Sequence, residues 1–194
     1  MRWFRYLALG VFFLDLPVPI YWFVLHPFHA FWKGRIRSAF WTAGLGAWTI
    51  GAIFVGGFWR KLAAPGAPAM PAVCAGILLI SADVVLLRRA GRELGHKTLV
   101  GYSELTGKPE MISNGLYAYV RHPRYAGMIA AVVGACLLAG TRFAAITSGV
   151  WLALVMTSIL LEEREMRRRF GQAYDDYCRR VPRFLPLRSL ARRV

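Results

Sequence analysis

Long apolar stretches separated by short polar segments make up most of the chain. Because a helix rises about 1.5 Å per residue, about 20 mostly apolar residues cross the roughly 30 Å hydrocarbon core of a bilayer. Five stretches approach this length: Trp3 to Leu25, Ala39 to Phe58, Pro71 to Leu87, Tyr125 to Gly140 and Phe143 to Leu161. The pattern predicts an all-α, polytopic membrane protein with about five transmembrane helices.

Two carboxylates interrupt the apolar stretches. Asp15 lies with Pro17 and Pro19 in the first stretch, where the prolines predict a kink or a break in the helix. Asp83 lies in the third stretch. Acids within membrane spans often mark ion paths, but these two have no basic partner inside the spans, so transport is a minor alternative. Asp83 is otherwise expected to serve a cofactor pocket or helix packing.

Small residues repeat every four positions in the second stretch. Such a stripe predicts close packing of another helix along this face. Its members are Ala39, Ala43, Ala47 and Gly51.

The last two apolar stretches are separated by Thr141 and Arg142 alone, so we predict an antiparallel helical hairpin. With five spans, one face of the membrane collects all but five of the 25 Lys and Arg residues. The five on the opposite face are Arg2, Arg5, Arg60, Lys61 and Arg142. The positive-inside rule then predicts an N-terminus outside and a cytoplasmic C-terminus, with a cytoplasmic C-terminal helix.

The composition excludes an ordinary soluble domain. Hydrophobic residues make up 57% of the chain, against about 45 to 50% in soluble proteins. The net charge of +15 therefore indicates anionic lipid head groups as partners and not nucleic acid. Three cysteines without CxxC spacing support neither a disulfide framework nor a zinc site. His26 and His29 lack a third ligand and are expected to be interface residues, so no metal is predicted.

Polar residues concentrate in two segments, from Arg88 to Arg124 and from Glu162 to the end of the chain. The hairpin brings these segments together. We therefore expect an N-terminal three-helix region, residues 1–87, and a cofactor-binding region, residues 88–194, integrated as one domain.

Charged residues mark both ends of the predicted hairpin. Pro123 fits the first position of a helix, so Arg121 and His122 lie at a helix N-terminus, which favours a carboxylate or phosphate. Glu162 directly follows an apolar run and needs a cationic partner near the membrane interface. Beyond it, i, i+4 spacing predicts solvated pairs of Glu163 with Arg167 and of Glu165 with Arg169.

Two groups of motifs flank the last apolar stretches. The first is Gly115-x-Tyr117-x-x-Val120-Arg121-His122-Pro123-x-Tyr125-x-Gly127. The second comprises Glu162-Glu163, Phe170-Gly171, Tyr174, Tyr177 and Arg180-Val181-Pro182-x-x-Leu185-Pro186. Together they resemble the isoprenylcysteine carboxyl methyltransferase family and related integral-membrane phospholipid methyltransferases. The resemblance spans roughly Gly91 to Leu187.

The resemblance implies a methyltransferase that uses S-adenosylmethionine, enclosed at the cytoplasmic face by the loop, the hairpin and the tail. It implies catalytic roles for Arg121, His122, Tyr125 and Glu163. It implies a cofactor-binding set of Leu116, Tyr117, Tyr119, Val120, His122, Tyr125, Glu162 and Glu163. Glu162 or Glu163 would pair with the cofactor's ammonium, Arg121 and His122 with its carboxylate, and the tyrosines with adenine or sulfonium. No Gly-x-Gly-x-x-Gly follows a strand, which excludes a soluble Rossmann-type enzyme.

The methyl acceptor remains open between two classes. The resemblance implies a lipophilic, isoprenylcysteine-like carboxylate and O-methylation. Family members often carry an arginine shortly before the Glu-Glu pair, whereas this chain has Met156 to Ile159 there, so Arg164 or Arg124 would have to replace it. The alternatives are a phospholipid or amine N-methyltransferase, with His122 as base, and a non-enzymatic lipid-binding scaffold. An NADPH-dependent reductase is a further rival, but those relatives have many more membrane helices.

Overall fold

The computed structural model describes residues 3–32, 34–63, 66, 68–94 and 111–184, and these contain helices and no strand. The α-helices are α1 (Trp3–Asp15), α2 (Val18–Leu25), α3 (His29–Trp32), α4 (Ile36–Leu62), α5 (Met70–Leu94), α6 (Pro123–Ala139), α7 (Arg142–Phe170) and α8 (Gln172–Arg180). A 3₁₀ helix, Gly115–Ala118, precedes α6. The all-α prediction is confirmed. The three cysteines are free thiols, as expected.

Four stretches of helix in the described residues are long and apolar enough to cross a membrane: Trp3–Leu25, Arg37–Leu62, Met70–Glu93 and Arg142–Phe170. Helix α6 is apolar but has only 17 residues. The protein is therefore a multi-pass membrane protein, while the count of five spans stays a prediction. The first span is broken at Leu16 and Pro17, as its prolines predict.

The small-residue stripe of α4 packs against α2. Its three alanines are buried in a cluster with Tyr21 and Leu25. A Cβ atom on Gly51 would lie 2.5 Å from Cγ of Pro17. Small side chains therefore let α4 approach the break between α1 and α2, which confirms the predicted packing.

Helix α6 lies at the centre of the fold, packed against α5, α1 and α7. Its contact with α5 is close enough that a Cβ atom on Gly134 would lie 2.7 Å from the backbone oxygen of Gly76. Helix α5 runs across the expected boundary between residues 87 and 88. The division of the chain at that point stays a prediction.

Helices α6 and α7 form the predicted hairpin. Gly140 ends α6 in the left-handed conformation with φ of +64°. The Thr141 hydroxyl accepts a hydrogen bond from the Ala144 amide (3.0 Å) and donates one to the Lys61 carbonyl (2.8 Å). At the opposite end of α7, Glu165 Oε2 lies 3.0 Å from His26 Nδ1. The charged end of α7 therefore shares a face of the molecule with the end of α2.

Candidate functional site

A short loop before α6 is held between α5 and α8. Gly115 has φ of +56°, which favours glycine, and the next amide, that of Leu116, donates to Glu93 Oε2 at 2.7 Å. The Tyr177 hydroxyl of α8 donates to the Tyr117 carbonyl at 2.7 Å. Burial raises the pKa of Tyr177 to about 12, so this hydroxyl stays a donor at neutral pH.

The loop ends at a buried cluster around Glu163, whose side chain is only 1% exposed. Glu163 Oε1 lies 3.2 Å from both Arg121 Nη2 and His122 Nε2. Arg183 binds the same carboxylate with two nitrogens, Nε to Oε1 at 3.0 Å and Nη2 to Oε2 at 2.7 Å. One carboxylate thus holds the loop and the chain after α8 against α7.

Arg183 is a site residue that the motifs do not specify, since it occupies an undefined position after Pro182. The backbone carbonyl of Arg183 also accepts a hydrogen bond from the backbone amide of His122 at 3.1 Å. The carbonyl of Pro182 accepts one from the backbone amide of Arg121 at 2.8 Å. The bond to Glu163 raises the pKa of Arg183 further. The many basic residues of the tail indicated that an arginine there could belong to the site. The sequence could not identify Glu163 as the partner of Arg183, because this pairing depends on tertiary contacts.

One of the two predicted ion pairs on α7 is wrong. Arg167 pairs with Asp175 of α8 at 3.2 Å, because Glu163 points into the protein. The predicted pair of Glu165 with Arg169 is present.

A cavity of about 790 Å³ opens next to the Glu163 cluster, between α1, α5 and α6. Its size is that of a small-molecule site. Five of the predicted site residues line it together: Tyr117, Arg121, His122, Tyr125 and Glu162. These form the polar end of the cavity.

The other predicted site residues lie elsewhere. Leu116 and Tyr119 line a separate, smaller hollow with Glu93. Val120 is buried, and Glu163 lies behind the cavity wall without lining it. The catalytic and cofactor-binding roles expected for all nine predicted site residues stay predictions.

Two residues of the polar end each have a buried side-chain atom with no hydrogen-bond partner within the described part of the chain. These atoms are Oε2 of Glu162 and Nε of Arg121. Buried polar atoms are rarely left unpaired, because their desolvation is then uncompensated. An unpaired acceptor and an unpaired donor on two residues that line one cavity match a ligand that carries both a cationic donor and an anionic acceptor. Burial, with the charge of Glu162, also raises the pKa of Tyr117, which keeps its phenol neutral.

The two intramembrane acids meet in the same cavity, and the expectation that they lack a basic partner is wrong. Arg124 forms an ion pair with Asp83, and its Nη2 lies 3.8 Å from Asp15 Oδ1. Arg124 lies in the first turn of α6, whose packing between α1 and α5 carries it to both acids. A Cβ atom on Gly127 would lie 2.5 Å from Asp83 Oδ1, so glycine makes room for this carboxylate.

The rest of the cavity wall is largely apolar. Leu14 of α1 and Val84 and Leu87 of α5 line the cavity and are exposed, and all three lie on stretches that are apolar enough to cross a membrane. In a membrane protein such a surface faces lipid. The cavity therefore combines a polar end with an exposed apolar wall on membrane-spanning helices.

The sequence of the region that contains the polar end of the cavity matches known proteins. The family model for phospholipid methyltransferases matches residues 71–173, which is more than half of the chain. A protein-S-isoprenylcysteine O-methyltransferase of Schizosaccharomyces pombe is 29% identical over 116 residues, 59% of this chain and 47% of that protein. The methanethiol S-methyltransferase 1 of Bradyrhizobium diazoefficiens is 33% identical over 105 residues, 49% of this chain and 35% of that protein.

The nickel-cobalt-cadmium resistance protein NccN of Alcaligenes xylosoxydans xylosoxydans is 30% identical over 83 residues, 43% of this chain and 39% of that protein. The chain spans less than half the length of these three curated relatives. No solved structure matches it. The matched segment contains Arg121, His122, Glu162 and Glu163, and on this match the chain belongs to the phospholipid methyltransferase family.

Proposed function

We propose that the protein is an integral-membrane methyltransferase that uses S-adenosylmethionine and methylates a lipophilic acceptor. The family match and the named methyltransferases among its relatives support the reaction class. The observation that carries the proposal is the pair of unpaired buried atoms, Glu162 Oε2 and Arg121 Nε, on residues that line one cavity.

The residues at the polar end fit the charged groups of this cofactor. Glu162 would accept hydrogen bonds from the ammonium group, and Arg121 would donate to the carboxylate. The rings of Tyr117 and Tyr125 line the same end and suit a sulfonium or an adenine ring. When bound, S-adenosylmethionine supplies a methyl group on a sulfonium, which is already an activated leaving group.

The protein's own contribution would be orientation and exclusion of water. Glu163 does not line the cavity but holds Arg121 and His122 in place, so we assign it the role of a positioning residue. Tyr125 lines the cavity beside His122, with ring centroids 5.7 Å apart, and shapes the wall where the reacting groups meet.

The proposed reaction takes place at the cytoplasmic face. The polar end lies where the loop, the charged end of α7 and the chain after α8 meet, and the positive-inside rule assigns these basic segments to the cytoplasm. The acceptor would enter sideways from the bilayer, because apolar residues of the cavity wall reach the lipid-facing surface.

The proposal is tested by calorimetry of S-adenosylmethionine binding to detergent-purified protein. We expect Glu162→Gln to weaken binding by about 1.5 to 3 kcal/mol, roughly 10- to 150-fold, because the ammonium loses a charged acceptor. Glu165→Gln removes the same charge from α7 outside the cavity and should bind as the wild type does.

Unchanged affinity in folded Glu162→Gln would reject the role of Glu162. Binding of NADPH in place of S-adenosylmethionine would reject the reaction class. Binding of neither by folded protein would support the scaffold alternative.

A further inference from the structure

We propose that Arg183 is a positioning residue that keeps Arg121 available to bind the carboxylate of a ligand. It does so by occupying both oxygens of Glu163, the residue to which both arginines bind. The identity of the ligand, S-adenosylmethionine, rests on the proposed function, whereas the competition between the two arginines does not. Arg183 lies beyond residues 71–173, the segment that matches the family model, and it does not line the cavity.

The two arginines hold Glu163 in unequal ways. A guanidinium group binds a carboxylate best through two parallel N–H donors. Arg183 has this geometry, with Nε 3.0 Å from Oε1 and Nη2 2.7 Å from Oε2. Arg121 makes a single contact with the carboxylate, from Nη2 to Oε1 at 3.2 Å. Arg183 therefore takes the paired geometry and leaves Arg121 the single one.

The unpaired atom of Arg121 lies on the edge of the guanidinium that meets Glu163. Nε and Nη2 form this edge, and it is the same edge through which Arg183 binds. On Arg121, Nη1 donates to the Cys178 carbonyl at 3.0 Å, and Nε is buried without a partner in the described residues. If Arg183 released Oε2 of Glu163, Nε of Arg121 would gain that acceptor. Both nitrogens of the edge would then be engaged by the protein and lost to a ligand carboxylate.

The backbone contacts of Arg183 are separate from this competition. The carbonyls of Pro182 and Arg183 accept hydrogen bonds from the amides of Arg121 and His122, and these bonds do not involve the Arg183 side chain. That side chain is 32% exposed, so a replacement can be solvated. Substitution of Arg183 therefore changes the competition for Glu163 while the backbone of the loop stays held.

The test measures binding of S-adenosylmethionine and of its decarboxylated analogue by calorimetry on detergent-purified protein. Arg183→Lys keeps the positive charge but cannot supply two donors in a fixed fork. We expect it to lower the affinity for S-adenosylmethionine about tenfold, because Arg121 loses a charged hydrogen bond to the carboxylate. The affinity for the decarboxylated analogue should not change, whereas a general disturbance of the site would weaken both probes.

Arg179→Lys is the matched control. It makes the same substitution at an exposed arginine of α8 that pairs with Asp176, outside the cavity. This variant should bind both probes as the wild type does.

A second readout needs no cofactor. The side-chain Nε–H signals of ¹⁵N-arginine-labelled protein are recorded by NMR in detergent, and the Arg121 signal is identified by its loss in Arg121→Lys. In Arg183→Lys the Arg121 proton should move downfield, because its Nε–H gains the Glu163 carboxylate as acceptor. The spectrum of Arg179→Lys should keep the Arg121 signal in its wild-type position.

Unchanged affinity for S-adenosylmethionine in folded Arg183→Lys would overturn the proposal, as would an equal loss for the two probes. An unmoved Arg121 signal would overturn it as well. Should Arg183→Lys fail to fold, Arg183→Gln replaces it with the same expectations. Wild-type protein that binds neither probe would reject the proposed function, and the cofactor-free spectrum would still decide whether Arg183 controls Arg121.

Discussion

At the scale of single residues, two neighbouring glutamates have opposite environments. Glu163 is buried with three basic partners, whereas Oε2 of Glu162 has none within the described residues. Adjacent positions on a helix point about 100° apart, so one of the two faces the loop and the other the cavity. This division explains why we propose a positioning role for Glu163 and a ligand-binding role for Glu162.

Glu163→Ala is expected to destabilise the protein by about 3 kcal/mol, because it leaves Arg121 and Arg183 without their buried partner. The free energy of unfolding in detergent micelles measures this loss. As a control, Asp176→Ala removes an exposed pair with Arg179 and should cost about 0 to 1 kcal/mol. Equal losses in the two variants would contradict a central role for the Glu163 cluster.

At the scale of helices, the site depends on how closely α6 packs against α5. Gly76 and Gly134 allow the two backbones to approach. About two turns closer to the start of α6, Gly127 makes room for Asp83. Residues of both α5 and α6 form the cavity wall and the cluster at Arg124. The loop before α6 also contacts α5. Close helix packing is therefore what positions the site.

Gly134→Ala is expected to destabilise the protein by about 1 to 3 kcal/mol, since the new Cβ atom would lie 2.7 Å from a backbone oxygen that cannot easily move. Gly56→Ala in α4 is the matched control, because a Cβ atom there meets nothing within 4 Å. The control should be neutral or stabilising by about 0.5 to 1 kcal/mol. Unfolding in detergent compares them, and a stabilised Gly134→Ala would refute the close contact.

At the scale of the whole molecule, contacts at both ends of α7 establish which segments share a face. Thr141 meets Lys61 at one end, and Glu165 meets His26 at the other. These contacts agree with the predicted arrangement, in which successive connections between the helices lie on alternate faces of the membrane and most Lys and Arg residues share one face. The absolute orientation follows from the positive-inside rule and stays a prediction.

Orientation is tested with single cysteines at Gly66 and Asp176, in a chain whose three native cysteines are replaced. A membrane-impermeant maleimide should label Gly66→Cys on intact cells, because this position follows the end of α4 on the face that carries only five of the 25 Lys and Arg residues. It should label Asp176→Cys only after the cells are opened. The reverse pattern would overturn the orientation, and labelling of both from outside would contradict the arrangement of the helices.

The sequence by itself determined the features that depend on neighbouring residues. Apolar stretches predict the helices, the prolines predict the break after Asp15, and the short link at Thr141 predicts the hairpin. Pro123 likewise begins α6 as predicted. Each of these rests on local backbone sterics or on hydrophobic length, which a linear pattern records directly.

The tertiary structure alone decided which distant side chains meet. Asp15 and Arg124 are far apart in the chain, and Arg183 reaches Glu163 from beyond α8. Such contacts depend on the rotation of each helix about its axis and on its register against its neighbours. Hydrophobic patterns in membrane helices leave both largely open, because lipid and protein interior are similarly apolar, and close packing of small residues selects the arrangement.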